Sequence, residues 1–248
     1  SSTRCTATRE TMNSFISSEE EALTRAFIGN GYLVQTAESL ASLDYLKALV
    51  KPYEPHSTIG LNEVKMEAMG RLNEHQDGKW LYYQIAKSLL HTLVGNELAM
   101  QKRFNLSVQV PNDETNLLPI HADSWAGDSP FQVVLWVPLV DCAKTSAMWI
   151  LPPEHAKDFR LEGSSEEMFK RIESKVEFVA MKYGEVMVFN PNLPHGNVLN
   201  REATTRWSIN CRFKGLWTPY ARKELGEHFE PITLRAASRI GMGYRFPA

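Results

Sequence analysis

The sequence predicts a mainly β chain preceded by helices, and two observations carry that reading. Up to residue 103, apolar residues recur at helical spacing; from Phe104 onward the texture changes to short β-branched and aromatic runs separated by Gly, Pro and Asn. The length of 248 residues, with 43% hydrophobic and 23% charged content, suits one β-rich globule with helical additions. No internal repeat or low-complexity linker divides it. One domain is therefore expected over 1–248, with 1–103 mainly helical, 104–213 the β core and 214–248 a C-terminal extension.

Taken in order, Asn13 to Asn30 is expected to be helical, with Ser17 or Ser18 capping ahead of Glu19 to Glu21. Gly31 to Gln35 reads as a short strand. Ser39 to Lys51 carries Leu40, Leu43, Leu46, Leu49 and Val50 at helical spacing, and Gly78 to Met100 carries Leu81, Ile85, Leu89 and Leu93. Both rows read as core packing. In Phe104 to Val110 the apolar residues Phe104, Leu106, Val108 and Val110 alternate with Asn105, Ser107 and Gln109. The polar face is either solvated or lines a ligand-bearing interior. Trp149 to Pro152 and Lys175 to Met181 read as strands. Between them Ser164 to Ser174 is expected to be a helix opened by a capping box of Ser164 and Glu167, an insertion suited to a lid or a subunit contact.

A net charge of −2 gives no argument for nucleic acid or an anionic membrane as partner. No stretch reaches the roughly 18 apolar residues of a membrane span. Cys5, Cys142 and Cys211 are too few and too scattered for a disulfide framework, which fits a reducing, cytoplasmic location. Ser1 to Glu10 carries no apolar signal-peptide core, and the missing initiator Met suggests processing or trimming. Oligomeric state is not legible.

The chemistry concentrates in His121-Ala122-Asp123, His195 and Arg206-Trp207-Ser208. Two residues apart on a strand end, His121 and Asp123 project to the same side. The strand-like run from Phe131 to Leu139 follows them directly. A second strand, from Val186, ends in the Pro-rich turn that carries His195. Two imidazoles and one carboxylate make one face of a metal site and leave the opposite face open, the facial triad of non-haem Fe(II) oxygenases. In the strand Thr205 to Phe213, the residues Arg206, Ser208, Asn210 and Arg212 share a face. A planar guanidinium is a natural clamp for a second carboxylate. Arg206 is the expected clamp, with Ser208 as a second donor. Arg212 is the competitor, about 20 Å farther along at ~3.3 Å per residue.

From about Phe104 to Phe213 the chain resembles the Fe(II)/2-oxoglutarate-dependent oxygenases, in particular the phytanoyl-CoA dioxygenase-like branch. Within that branch it looks most like the oxygenases of carbohydrate and aminoglycoside-type biosynthetic clusters. The matching residues are His121-Ala122-Asp123, Leu135 to Asp141, Met148 to His155, His195-Gly196-Asn197 and Arg206-Trp207-Ser208. Thr145-Ser146 and Pro152-Pro153-Glu154-His155 depart from the family pattern without touching these ligands. The resemblance implies a double-stranded β-helix, a cupin-like jelly roll, with helices packed on one sheet. It implies Fe(II) as cofactor, with 2-oxoglutarate and O₂ as cosubstrates. The reaction expected is decarboxylation to succinate coupled to hydroxylation or a related C–H oxidation of a sugar- or aminocyclitol-type metabolite. Because Asp123 fills the carboxylate position, halogenation is disfavoured.

Gln109, Ser107 and Asn105 are placed to touch the cosubstrate if their face looks inward. Asn197 would orient His195 or contact substrate. Trp125 and Trp149 would form an apolar or sugar-stacking wall, with core packing the competing role for Trp149. The loop from Asn112 to Pro130 and the insertion from Glu154 to Lys175 are candidate covers. His155 reads as a turn residue and Cys211 as a buried small hydrophobe, while His56, His75, His91 and His228 lack partners at ligand spacing. Two other classes remain: a Zn- or Mn-dependent isomerase or hydrolase on the same barrel, and a non-catalytic sugar-binding jelly roll.

Overall fold

In a computed structural model, which describes residues 15–53 and 60–247, five helices pack against one face of a two-sheet sandwich. Cys5, His56 and the first residues of the helix expected from Asn13 lie outside the described residues. Helix α1 (Ser18–Asn30) starts where Ser17 accepts the Glu20 amide and Glu20 returns a bond to the Ser17 amide. Gly31, at φ +81°, ends it and turns the chain into β1 (Tyr32–Thr36). A side chain at Gly31 would drive into Leu193, so the turn requires glycine twice over.

Helix α2 (Leu40–Val50) is capped by Ser39 and buries Leu43, Leu46 and Val50. Helix α3 (Leu61–Glu74) was not anticipated; its pattern is interrupted by charges, and only Leu61, Ala68 and Leu72 are buried. The single helix expected over Gly78 to Met100 is instead α4 (Gly78–Gln84), α5 (Lys87–Leu93) and strand β2 (Leu98–Gln101). Glu38 explains the first break, because its carboxylate accepts the Ser88 and Leu89 amides and restarts the helix there. Gly95, at φ +123°, makes the second.

The remaining strands are β3 (Asn105–Gln109), β4 (Gln132–Pro138), β5 (Met148–Ile150), β6 (Glu177–Val179), β7 (Glu185–Phe189), β8 (His195–Gly196), β9 (Arg206–Gly215) and β10 (Phe229–Pro231). Short α6 (Pro153–Ala156) and α7 (Ser165–Ile172), the latter with the expected Ser164–Glu167 capping box, form the insertion; α8 (Ala236–Gly243) closes the chain. One antiparallel sheet runs β1-β7-β4-β9-β2-β10 with β3 also on β9, and the other runs β6-β5-β8. This is the jelly roll with helices on its larger sheet. That sheet draws β1 and β2 from the helical part and β10 from the C-terminal extension, so it reaches beyond 104–213.

Alternation on β4 and β9 separates two environments. Leu135, Val137, Ile209, Cys211 and Phe213 face the helices and pack with Leu43, Leu46, Tyr82 and Leu90. Val134 and Trp136 face the small sheet and pack with Met148, Ile150, Met187 and Phe189. The polar members of β9, from Arg206 to Arg212, therefore point into the space between the sheets. Trp149 points the other way, onto Met168, Phe169 and Ile172 under α7. Among the described residues, no helix is long and apolar enough to cross a membrane.

Candidate metal centre and anion seat

His121 and His195 are held side by side by backbone. Each donates its amide to the other's carbonyl, at 3.3 and 2.9 Å, and the rings lie 4.3 Å apart between centroids. The Asp123 amide donates to Pro191, which anchors the carboxylate beside the same turn. One potential ligand atom from each of His121, Asp123 and His195 falls within 4.8 Å of the others. The Nε2 atoms of both rings lie 4.0 Å from Asp123 Oδ1.

Both imidazoles are preset. His121 Nδ1 lies 2.9 Å from the Pro119 carbonyl and His195 Nδ1 lies 2.8 Å from the Leu193 carbonyl. A carbonyl only accepts, so Nδ1 carries the proton and Nε2 presents its lone pair to the cluster. Burial, and then the neighbouring His121, push the His195 pKa down to about 4, which keeps that ring neutral.

Burial opposes ionisation of Asp123, but Arg212 outweighs it and holds the carboxyl below its ordinary value. Arg212 does so with two nitrogens, Nη2 to Oδ1 at 2.7 Å and Nε to Oδ2 at 2.8 Å. Behind it lies buried Asp128, 3.7 Å from Arg212 Nε and paired on its other side with Lys223. Arg212 is therefore committed to Asp123 and is not a free clamp for a ligand.

Arg206 is the opposite case. It is fully buried, and Nη2 donates to Ser107 Oγ at 2.8 Å, while Nε and Nη1 have no partner among the described residues. Trp136 flanks it, and burial lowers its pKa to about 10, leaving it charged near neutrality. Leaving guanidinium donors unmatched in an interior is costly unless an anion completes them.

These groups share one cavity of about 340 Å³, lined by His121, Asp123, His195, Arg206, Arg212, Ser107 and Asn197 among others. The polar side of β3 thus faces inward at Asn105 and Ser107. Gln109 lies outside the lining and gives its Nε2 to the Val198 carbonyl. Ser208 is buried across from Ser107 and also lies outside the lining, with its hydroxyl unpartnered. Ser107 accepts from Arg206, and the Ser208 hydroxyl, expected as a second donor to the same ligand, stays unpaired among the described residues.

Asn197 accepts the Leu118 amide and keeps its own NH₂ free inside the cavity, so it ties the loop to the site. The aromatic wall expected from Trp125 and Trp149 does not form. Trp149 faces α7 because its strand neighbour Met148 takes the inward position. Trp125 is largely exposed and stacks on Phe159 of the insertion, with ring centroids 5.7 Å apart. Sequence reasoning missed Lys65 and Met69, which enter the lining from α3. Their spacing of four residues puts them on one helix face, but nothing local indicates that this face meets β3.

Comparison with known proteins agrees with this architecture. A non-haem monooxygenase, ThoJ, superposes with TM-score 0.62 at 15% identity, over 84% of this chain and 82% of its own. SnoK, a non-haem α-ketoglutarate-dependent carbocyclase from nogalamycin biosynthesis, gives 0.60 at 14%, over 88% and 97%. HygX from Streptomyces hygroscopicus, solved with nickel and 2-oxoglutarate bound, gives 0.52 at 12%, over 83% and 89%. At these identities the likeness establishes the fold. No curated protein sequence matches the chain. The profile of the phytanoyl-CoA dioxygenase family matches residues 45–207, more than half of the 248, and takes in His121, Asp123, His195 and Arg206. The chain belongs to the phytanoyl-CoA dioxygenase family.

Proposed function

We propose that this protein is a non-haem Fe(II)- and 2-oxoglutarate-dependent dioxygenase that oxidises a small sugar- or aminocyclitol-type biosynthetic metabolite. The observation that carries the reading is Arg206, a buried guanidinium with two unpartnered nitrogens in the same cavity as the His121–Asp123–His195 cluster. A metal isomerase or hydrolase on the same barrel does not need Arg206 as a carboxylate clamp.

The residues present fit the groups. Two neutral imidazole Nε2 atoms and one carboxylate suit Fe(II), and leave positions open for a chelating ligand. Metal, 2-oxoglutarate and O₂ together, when bound, would supply the oxidising chemistry at a substrate C–H bond. Arg206 would receive the distal carboxylate of 2-oxoglutarate in its fork, with Ser107 fixing the guanidinium plane. Arg212 would hold Asp123 ionised and oriented. The Asn112–Pro130 loop and the insertion, joined through Trp125 and Phe159, would limit water entry. Neighbouring folds include a monooxygenase, an epimerase and a carbocyclase, so hydroxylation and related C–H oxidations are all within the proposal.

The test is succinate formation from 2-oxoglutarate with Fe(II) and ascorbate, together with anaerobic titration of 2-oxoglutarate by its Fe(II) charge-transfer absorbance. Arg206→Lys keeps the charge but loses the fork, and should weaken 2-oxoglutarate about tenfold or more. Unchanged affinity in Arg206→Lys and Arg206→Ala would remove the cosubstrate seat from Arg206.

A further inference from the structure

The cavity's charges are unbalanced in a way that selects a substrate. Among the described residues, its lining holds three cations, Lys65, Arg206 and Arg212, against one carboxylate, Asp123. Arg212 and Asp123 cancel each other at contact distance, and Asp128 behind them is cancelled by Lys223. Loading the site with a divalent metal and the 2-oxoglutarate dianion adds no net charge. Arg206 and Lys65 remain in excess, and Arg206 is deep in the site where the cosubstrate carboxylate belongs.

Lys65 is the cation left over. It is half-buried on α3, lines the cavity together with Met69, and makes no hydrogen bond or ion pair with any described residue. The lining around the rest of the cavity offers neutral amides: Asn105, Asn116, Asn197 and Asn210. Asn105 donates to Asn210, and Asn116 donates to Asp113, so both are held in place rather than free to swing. Such amides suit hydroxyl groups. A field of one sign between low-dielectric walls concentrates ligands of the opposite sign and repels those of the same sign. An amine-bearing substrate would meet no carboxylate that is not already engaged.

We infer that the substrate carries an anionic group, a carboxylate or phosphate on a hydroxylated skeleton, and that Lys65 of α3 receives it. This rests on the oxygenase reading and narrows its substrate class, because a cationic aminocyclitol is disfavoured at this site. Lys65 acts from the α3 side of the lining through charge, and Arg206 remains the cosubstrate seat.

Three sugars of one skeleton that differ in charge test it: glucose 6-phosphate, glucose and glucosamine. Each is titrated calorimetrically into anaerobic protein saturated with Fe(II) and 2-oxoglutarate, with the charge-transfer band monitored throughout. The phosphate should bind at least about tenfold more tightly than either other sugar, a margin in line with a charge-assisted contact. Lys65→Gln should erase that margin, Lys65→Arg should keep it, and neither should alter the band. Equal binding of the three sugars, preference for glucosamine, or a phosphate margin that survives Lys65→Gln would overturn the inference. Failure of the band to form in the native protein would instead defeat the oxygenase reading beneath it.

Discussion

Arg206 and Arg212 stand on the same face of one strand, yet their surroundings give them opposite work. Arg212 is engaged by Asp123 through two nitrogens and lies 3.7 Å from Asp128; Arg206 meets a serine and an indole, and keeps two donors in reserve. Both positions, and the shared face, follow from period-two alternation and were readable in advance. The division of labour is only partly legible in the sequence, because Arg206 and Arg212 both stand as clamp candidates on one face while the carboxylates awaiting Arg212 are invisible. Asp128 lies five residues past Asp123 and reaches Arg212 only through the turn at Asp123–Ala126. Removing Arg212 leaves Asp123 a buried carboxylate without its two-nitrogen partner, while Asp128 keeps Lys223. Arg212→Met should therefore lower the unfolding free energy of the metal-free protein by about 3–5 kcal/mol, the usual result of breaking a buried pair from one side. Excess Ni(II) should restore part of that loss, since a cation at the cluster compensates Asp123. Urea unfolding with chelator and with Ni(II) measures both quantities, and an unchanged metal-free midpoint would show that Arg212 is dispensable.

Two surface elements depend on each other. The Asn112–Pro130 loop, which carries His121 and Asp123, and the insertion around α6 and α7 meet through the stack of Trp125 on Phe159. The loop was recognisable by its Gly, Pro and Asn content, and α7 by its capping box; their contact was not, because nothing in either segment encodes a partner some thirty residues away. The same limitation explains α3, whose Lys65 and Met69 acquire meaning only against β3. The break in the long helix expected after Gly78 is also tertiary in origin, set by Glu38 from across the α2 turn. Trp125→Ala and Phe159→Ala should each open the cover, lowering product formed per succinate while leaving 2-oxoglutarate affinity within about twofold. Because one contact is at stake, the double variant should match either single one. Additive losses would mean that the two rings act separately.

At the scale of the whole molecule, the site is also a joint between the two sheets. His195 belongs to the small sheet, Arg212 to the large one, and Asp123 lies between them. A proton added to His195 is therefore placed in the interior of the sandwich, beside Phe189 and the second imidazole. Its pKa of about 4 when folded lies below the ordinary 6.5, so the unfolded chain takes up a proton that the folded chain refuses. The associated stability is present above about pH 6.5 and is lost as pH falls toward 4. The difference is worth a few kcal/mol at roughly 1.4 kcal/mol per pH unit. Asp123 and His91, both held below their ordinary values, act with the same sign. The urea midpoint of chelator-treated protein should consequently fall steadily from pH 7 to pH 4.5. Replacing the ring by a neutral side chain, His195→Asn, should flatten that slope even if it lowers stability at pH 7. Excess Ni(II) should shift the loss to lower pH, because a ligated Nε2 resists protonation. A midpoint independent of pH across this range, or a slope unchanged in His195→Asn, would show that His195 is protonated without opposing the fold.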